Sequence, residues 1–183
     1  ILYRLVGSEM CIRDRLGGDA ITKFDDKDYL IFNNKRTTQT FRLSGDQDRV
    51  FKEMSNKGEE FRVHLLQGTT GSGKTIVYFK QIDEILKKGK QALILLPEIG
   101  LTTEFEKKFE EFFGFRAAIW HSGITPKKKK IIWSGISCGI VKVVIGARSS
   151  LFLPFKKLGL IIVDEEHDQS FKQDEGVIYN ARD

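Results

Sequence analysis

A run of glycines and hydroxyl residues with one lysine occupies residues 68–75 and reads Gly68-Thr69-Thr70-Gly71-Ser72-Gly73-Lys74-Thr75. This order matches the pattern G-x-x-x-x-G-K-[ST], in which backbone N–H groups wrap around phosphates. Lys74 would reach the β- and γ-phosphates of a nucleotide, and the Thr75 hydroxyl would bind Mg²⁺. A glycine-rich turn would match by chance in about one or two per cent of chains this long. An apolar stretch before the run and a helical pattern after it favour a phosphate-binding loop.

Acidic residues follow an apolar stretch later in the chain, where 158–163 leads into Asp164-Glu165-Glu166-His167. Asp164 would hold Mg²⁺ through water, and Glu165 would orient and deprotonate an attacking water. Taken alone, these carboxylates could equally cap the next helix, because a helix N-terminus favours negative charge. A phosphate-binding loop upstream makes the catalytic interpretation the better one.

Alternating apolar stretches and amphipathic stretches predict the elements that position these residues. Strands are predicted at 63–66, 92–96, 115–120, 140–145 and 158–163. Helices are predicted after Ser44, at 75–88, from a capping box formed by Thr103 and Glu106, and from Pro126 onward. The alternation predicts the α/β class, with a parallel sheet that carries helices on both faces. Ligands in such folds bind at the carboxyl ends of the strands.

Composition limits the class of protein. The chain has 183 residues, a net charge of +5 and two cysteines. This length fits one domain, and a mild basic excess is compatible with a polyanionic partner but mostly reflects surface lysines. Two cysteines are too few for a disulfide framework or a zinc cluster. No apolar run approaches the roughly 18 residues that a membrane span needs. These features predict a cytoplasmic protein.

The chain divides into three segments on its sequence pattern. Residues 1–15 follow no helical or strand period, and we interpret them as translated sequencing adapter, a non-native remnant that is left out of the fold prediction. Residues 16–42 predict a linker or hairpin. Residues 43–183 predict the nucleotide-binding lobe, and because Arg182-Asp183 follows no cap or turn, we expect a fragment truncated at its C-terminus.

Five motifs resemble those of the PriA family of superfamily 2, DExH-type DNA helicases, which restart stalled replication forks. They are Leu66–Thr75 with Tyr78, Pro97–Thr102, His121-Ser122-Gly123, Val144–Phe152, and Leu158–His167 followed by Ser170–Gln173, Glu175-Gly176, Tyr179 and Ala181–Asp183. The resemblance covers about 43–183. It implies a RecA-like P-loop NTPase lobe, preceded by a short linker, from an ATP-dependent 3′-to-5′ helicase.

The resemblance also implies roles for single residues. Gln47 would read the adenine edge, since its amide offers a donor and an acceptor, although a solvated helix residue is the plain alternative. His167 would be a relay between ATP and DNA. Contacts to DNA would come from Thr102, Arg148, Phe171, Lys172, Tyr179 and Arg182. Core packing is the alternative for the two aromatic residues of that set. We interpret the run 127–130 as a solvated lysine face.

The resemblance further implies ATP and Mg²⁺ as cofactors, with zinc only in a C-terminal part that we expect to be missing. Its implied partners are single-stranded and forked DNA, primosome proteins and single-strand-binding proteins, with no membrane and a monomeric state. Ala147 departs from the family's common threonine. Alternatives are another superfamily 2 translocase, a DNA-binding module that uses ATP as a structural clamp, and a P-loop small-molecule kinase or GTPase. We find no guanine-reading Asn-Lys-x-Asp.

Overall fold

The fold is built on one mixed sheet. The computed structural model describes residues 2–4, 42–55, 60–69, 71–97, 102–173 and 179–180. Within these ranges the main sheet has six strands in the order β2-β1-β6-β3-β5-β4. Their bounds are β1 Leu2–Arg4, β2 Arg62–His64, β3 Gln91–Leu95, β4 Ala118–Trp120, β5 Val143–Gly146 and β6 Leu158–Val163. The strands β6, β3, β5 and β4 are parallel, as the sequence predicted.

Four helices connect the strands of the described ranges: α1 Gly45–Ser55, α2 Lys74–Lys87, α3 Thr103–Phe113 and α4 Pro126–Ser137. The capping box predicted at Thr103 is wrong by one residue, because the cap of α3 is Thr102, whose side chain accepts from the backbone N–H of Phe105. Short 3₁₀ turns lie at 148–152 and 169–171, and a small antiparallel pair joins 172–173 to 179–180. None of the described helices is long and apolar enough to cross a membrane.

Both faces of the sheet are buried. In β3 the side chains of Ala92 and Ile94 enter one apolar cluster, and those of Leu93 and Leu95 enter another. This alternation follows from the two-residue period of a strand. The first cluster packs against α1, α2 and α3, and the second packs against α4 and Phe171. The prediction of helices on both faces is therefore confirmed.

The N-terminal segment contributes one strand to the sheet. Residues 1–15 are left out of the fold prediction, and within them Leu2–Arg4 pairs antiparallel with β2 on one side and β6 on the other. Since β2 and β6 run in the same direction with one strand's width between them, a three-residue strand there gives their backbone groups hydrogen-bond partners. That these residues are a non-native remnant stays a prediction. The predicted linker or hairpin at 16–42 lies outside the described residues, apart from Arg42.

Candidate nucleotide-binding site

The glycine-rich loop between β2 and α2 curls around its own lysine. Gly71 and Gly73 both have φ of +81°, a left-handed conformation that side chains disfavour. The Lys74 ammonium donates to the carbonyl oxygens of Gly68 and Thr69 at 2.6 and 3.0 Å. A positive charge is thereby held inside the loop that precedes α2, at the helix end that favours anions.

The loop closes tightly at its start. A Cβ on Gly68 would lie 2.7 Å from the Ser72 hydroxyl oxygen, so that hydroxyl would have to turn away. The Ser72 N–H donates to the Thr69 carbonyl at 3.1 Å, which closes the turn. A narrow backbone cradle with a lysine inside it suits a phosphate chain. Thr70, also predicted to bind ATP, lies outside the described residues.

The acidic residues lie at the carboxyl end of β6. The Asp164 N–H donates to the Leu95 carbonyl at 3.0 Å, which fixes this backbone beside β3. One carboxylate oxygen of Asp164, Oδ1, accepts from the Glu165 N–H at 3.0 Å. Glu165 has φ of +50°, so a non-glycine residue adopts the left-handed conformation directly after the strand. Such strain is often retained at functional sites, and here it turns the chain sharply after Asp164.

Tyr78 connects the two halves of the site. Its hydroxyl donates to the other oxygen of Asp164, Oδ2, at 2.9 Å. Burial raises the pKa of the Tyr78 phenol well above its usual 10.0, and the Asp164 charge raises that pKa further. The phenol therefore keeps its proton and remains a donor. Because Tyr78 lies one turn after Thr75 on α2, this bond places the phosphate loop's helix and the acidic strand end at the same end of the sheet.

No role was predicted for Tyr78, which entered only as part of a family motif. The available signal was its spacing of three residues from Thr75, because such a spacing places two side chains on one helix face. The partner on β6 could not be read from that spacing.

Thr75 and Asp164 fit Mg²⁺ by the chemistry of their oxygens. Asp164 Oδ2 accepts from the Tyr78 hydroxyl, and Thr75 lies one turn before Tyr78 on α2. Mg²⁺ prefers oxygen ligands and is commonly held by one or two protein groups together with substrate phosphates. A hydroxyl from the helix and a carboxylate from the strand, at the same end of the sheet, match that requirement.

Gln47 lies against the phosphate loop with both ends of its amide engaged. Its Nε2 donates to the Ser72 carbonyl at 3.1 Å, and its Oε1 accepts from the Ser44 N–H at 2.9 Å. The Ser44 hydroxyl accepts from the Gln47 N–H at 3.4 Å, which completes a capping box at the start of α1. Adenine recognition by Gln47 stays a prediction, and it requires the amide to change partners.

Arg148, predicted to contact DNA, binds the chain itself. One guanidinium nitrogen donates to the carbonyl oxygens of Ser170 and Lys172. It thus holds the loop that follows the acidic residues. That loop returns to the site through Asp168, whose N–H donates to the Glu165 carbonyl at 2.9 Å. A connected path of hydrogen bonds therefore runs from the Arg148 side chain through the loop to the Glu165 backbone.

The other predicted DNA contacts are dispersed. Phe171 is 1% exposed within the second core cluster, so a base could stack on its ring only after the loop moved. Direct stacking by Phe171 stays a prediction. Thr102 is exposed at the start of α3, and Lys172 and His167 are exposed near the acidic end. Only the backbone of Tyr179 is described, in the small antiparallel pair, and Arg182 lies outside the described residues.

Comparison with known families and proteins places these features in context. Residues 44–181 match the model of the family described as DEAD/DEAH box helicase. The replication restart protein PriA of Rickettsia felis is 60% identical over 119 residues, covering 65% of this chain and 18% of that protein. PriA of Bacillus subtilis is 41% identical over 150 residues, covering 81% of this chain and 19% of that protein. The chain thus spans about a fifth of the length of these relatives.

Among solved structures, one of RecG bound to a three-way DNA junction is similar. It aligns with a TM-score of 0.63 and 28% identity, covering 85% of this chain and 21% of that one. This similarity of fold agrees with the predicted RecA-like lobe.

Proposed function

Because the chain belongs to the DEAD/DEAH box helicase family, we propose that it forms the ATP-binding lobe of a DNA helicase that acts in replication restart. The observation that carries this proposal is the hydrogen bond from Tyr78 to Asp164, which joins the phosphate loop's helix to the acidic strand end. The similarity to PriA proteins supports a role in replication restart. The similarity to RecG on a three-way junction supports branched DNA as the substrate.

The proposed reaction is transfer of the γ-phosphoryl group of ATP to water. Residues 68–75 hold the phosphates through backbone N–H groups, and Lys74 leaves its carbonyl partners to contact the β- and γ-phosphates. Thr75 and Asp164 would hold Mg²⁺, which would supply positive charge to offset the negative charge of those phosphates. Glu165 orients the attacking water and accepts its proton as the bond to the leaving ADP breaks. The left-handed turn at Glu165 sets the position of this carboxylate relative to Asp164.

DNA would control hydrolysis through the loop that Arg148 holds. A DNA phosphate near this loop would compete for the guanidinium with the Ser170 and Lys172 carbonyl oxygens. Any shift of the loop would pass through Asp168 to Glu165, because their backbones are hydrogen-bonded. We extend the proposal to 3′-to-5′ movement and forked or single-stranded DNA. It also includes primosome and single-strand-binding proteins as partners, a monomer and a cytoplasmic location.

The proposal is tested by ATP hydrolysis in a longer PriA-like protein that contains this sequence. Hydrolysis should rise strongly when single-stranded or forked DNA is added. Glu165→Gln should keep ATP binding and lower the hydrolysis rate about a hundredfold or more. Glu166→Gln is the control, because it makes the same charge change at the adjacent residue, and it should retain most of the hydrolysis rate. Equal hydrolysis with and without DNA would refute the motor function, and full function with Glu165→Gln would favour a structural ATP clamp.

A further inference from the structure

The Tyr78 hydroxyl has no part in the phosphoryl transfer proposed above, yet it binds Asp164, one of the two residues assigned to Mg²⁺. Its ring is 2% exposed and packs edge-on against Phe79 with ring centroids 5.3 Å apart. The hydroxyl lies 2.9 Å from Asp164 Oδ2. The ring is therefore fixed by packing, and its one polar atom holds the carboxylate at the end of β6 from a position one turn after Thr75 on α2.

A phenol suits this position because its protonated hydroxyl can donate to a carboxylate. Tyr78 donates to one oxygen of Asp164, and the second oxygen accepts from the Glu165 N–H. Both oxygens of the carboxylate are thus oriented before a metal arrives.

We propose that Tyr78 is the positioning residue of the magnesium site, and that its hydroxyl fixes the orientation in which the Asp164 carboxylate meets Mg²⁺. This inference rests on the proposed function, since it assigns a role within the same nucleotide site. Hydrogen-bond partners that orient metal ligands commonly raise metal affinity by about ten- to a hundredfold. Tyr78 acts on the affinity for Mg²⁺ together with nucleotide, and not on the phosphate loop itself.

The test compares ATP binding by the 183-residue chain with Mg²⁺ and with EDTA, using a fluorescent ATP analogue. The ratio of the two Kd values is the magnesium gain. Tyr78→Phe keeps the buried ring and removes only the hydroxyl. It should reduce the magnesium gain about five- to tenfold, and leave the Kd in EDTA within about twofold of the wild type.

A double-mutant cycle separates positioning from a general structural effect. In an Asp164→Asn background, Tyr78→Phe should cause no further loss of the magnesium gain, because the hydroxyl acts through that carboxylate. Ser55→Ala is the matched control, because it also removes one hydroxyl that is hydrogen-bonded to α2. The Ser55 hydroxyl accepts from Nε2 of Gln81 at 3.0 Å, and Gln81 lies on the turn of α2 after Tyr78. That variant should keep the full gain.

Three results would overturn the inference. They are a full magnesium gain in Tyr78→Phe, an equal loss of affinity with and without Mg²⁺, and additive effects of the two substitutions. A wild-type chain with no magnesium gain, or one whose ATP affinity is insensitive to Lys74→Ala, would refute the proposed nucleotide site itself and the inference with it.

Discussion

Replacing Gly73 by alanine should weaken the phosphate loop for two separate physical reasons. Gly73 has φ of +81°, and a residue with a Cβ in that conformation costs about 1–2 kcal/mol. The new Cβ would also overlap with Gln47 Nε2, so the amide must move and give up its hydrogen bond to the Ser72 carbonyl. Losing that bond costs about 1 kcal/mol. The free energy of unfolding should therefore fall by about 2–3 kcal/mol.

Gly71→Ala is the matched control for this prediction. Gly71 has the same φ of +81°, but a Cβ there would meet nothing within 4 Å. It should cost only the conformational part, about 1–2 kcal/mol. In a Gln47→Ala background the overlap disappears, so Gly73→Ala should then cost no more than Gly71→Ala.

Urea unfolding of the 183-residue chain measures these free energies, and titration with ATP reports the effect on the loop. Equal costs for the two glycine substitutions in the wild-type background would refute the contact between Gln47 and the loop. So would a cost of Gly73→Ala that stays unchanged when Gln47 is alanine.

Other predictions concern the core and the loop after the acidic residues. Phe79→Ala should lower the free energy of unfolding by about 3–5 kcal/mol, because the ring is 2% exposed and contacts four phenylalanines of α3. A decrease in this free energy of less than about 1 kcal/mol, measured by urea unfolding, would contradict the prediction. Arg148→Ala should speed amide hydrogen exchange at 168–172, since the guanidinium no longer binds the Ser170 and Lys172 carbonyl oxygens; unchanged exchange there would count against it. Hydrogen bonds from the Ser170 hydroxyl and then from the Ser170 N–H lower the pKa of Asp168 from its usual 3.8. Above that pH the ionised Asp168 carboxylate therefore accepts from the Ser170 N–H, and this hydrogen bond is lost as the pH falls through the lowered pKa. NMR should show that the protection of the Ser170 amide, its exchange rate relative to an unstructured peptide at the same pH, is lost in acid. Asp168→Asn should abolish this pH dependence of the protection, and a variant that keeps it would exclude Asp168 as the cause.

The fold and half of the site could be predicted because local sequence patterns determine both. The phosphate loop is contiguous, and strands such as β3 and β6 are apolar runs whose period and length indicate their type. Gly114 ends α3 at φ of 72° and Pro126 begins α4, both as turn chemistry predicts.

The contacts that assemble the site were not predictable in the same way. Tyr78 and Asp164 are 86 residues apart, and their bond depends on the order of strands in the sheet, which periodicity does not encode. The amide of Gln47 reaches Ser72 across 25 residues for the same reason. For an aromatic residue in a loop motif, such as Phe171, the residue type does not show whether the side chain faces DNA or the core. β1 was missed because three residues carry too little pattern to indicate a strand.

Whether the phosphate loop and the acidic strand end form one metal–nucleotide site is tested most directly by replacing Mg²⁺ with paramagnetic Mn²⁺, which accepts the same oxygen ligands. With ATP and Mn²⁺ added to the isotope-labelled chain, the amide NMR signals of both Thr75 and Asp164 should broaden strongly. The signal of Gln91, at the opposite end of β3, should stay sharp. Broadening at only one of the two residues, or at neither, would contradict a shared site.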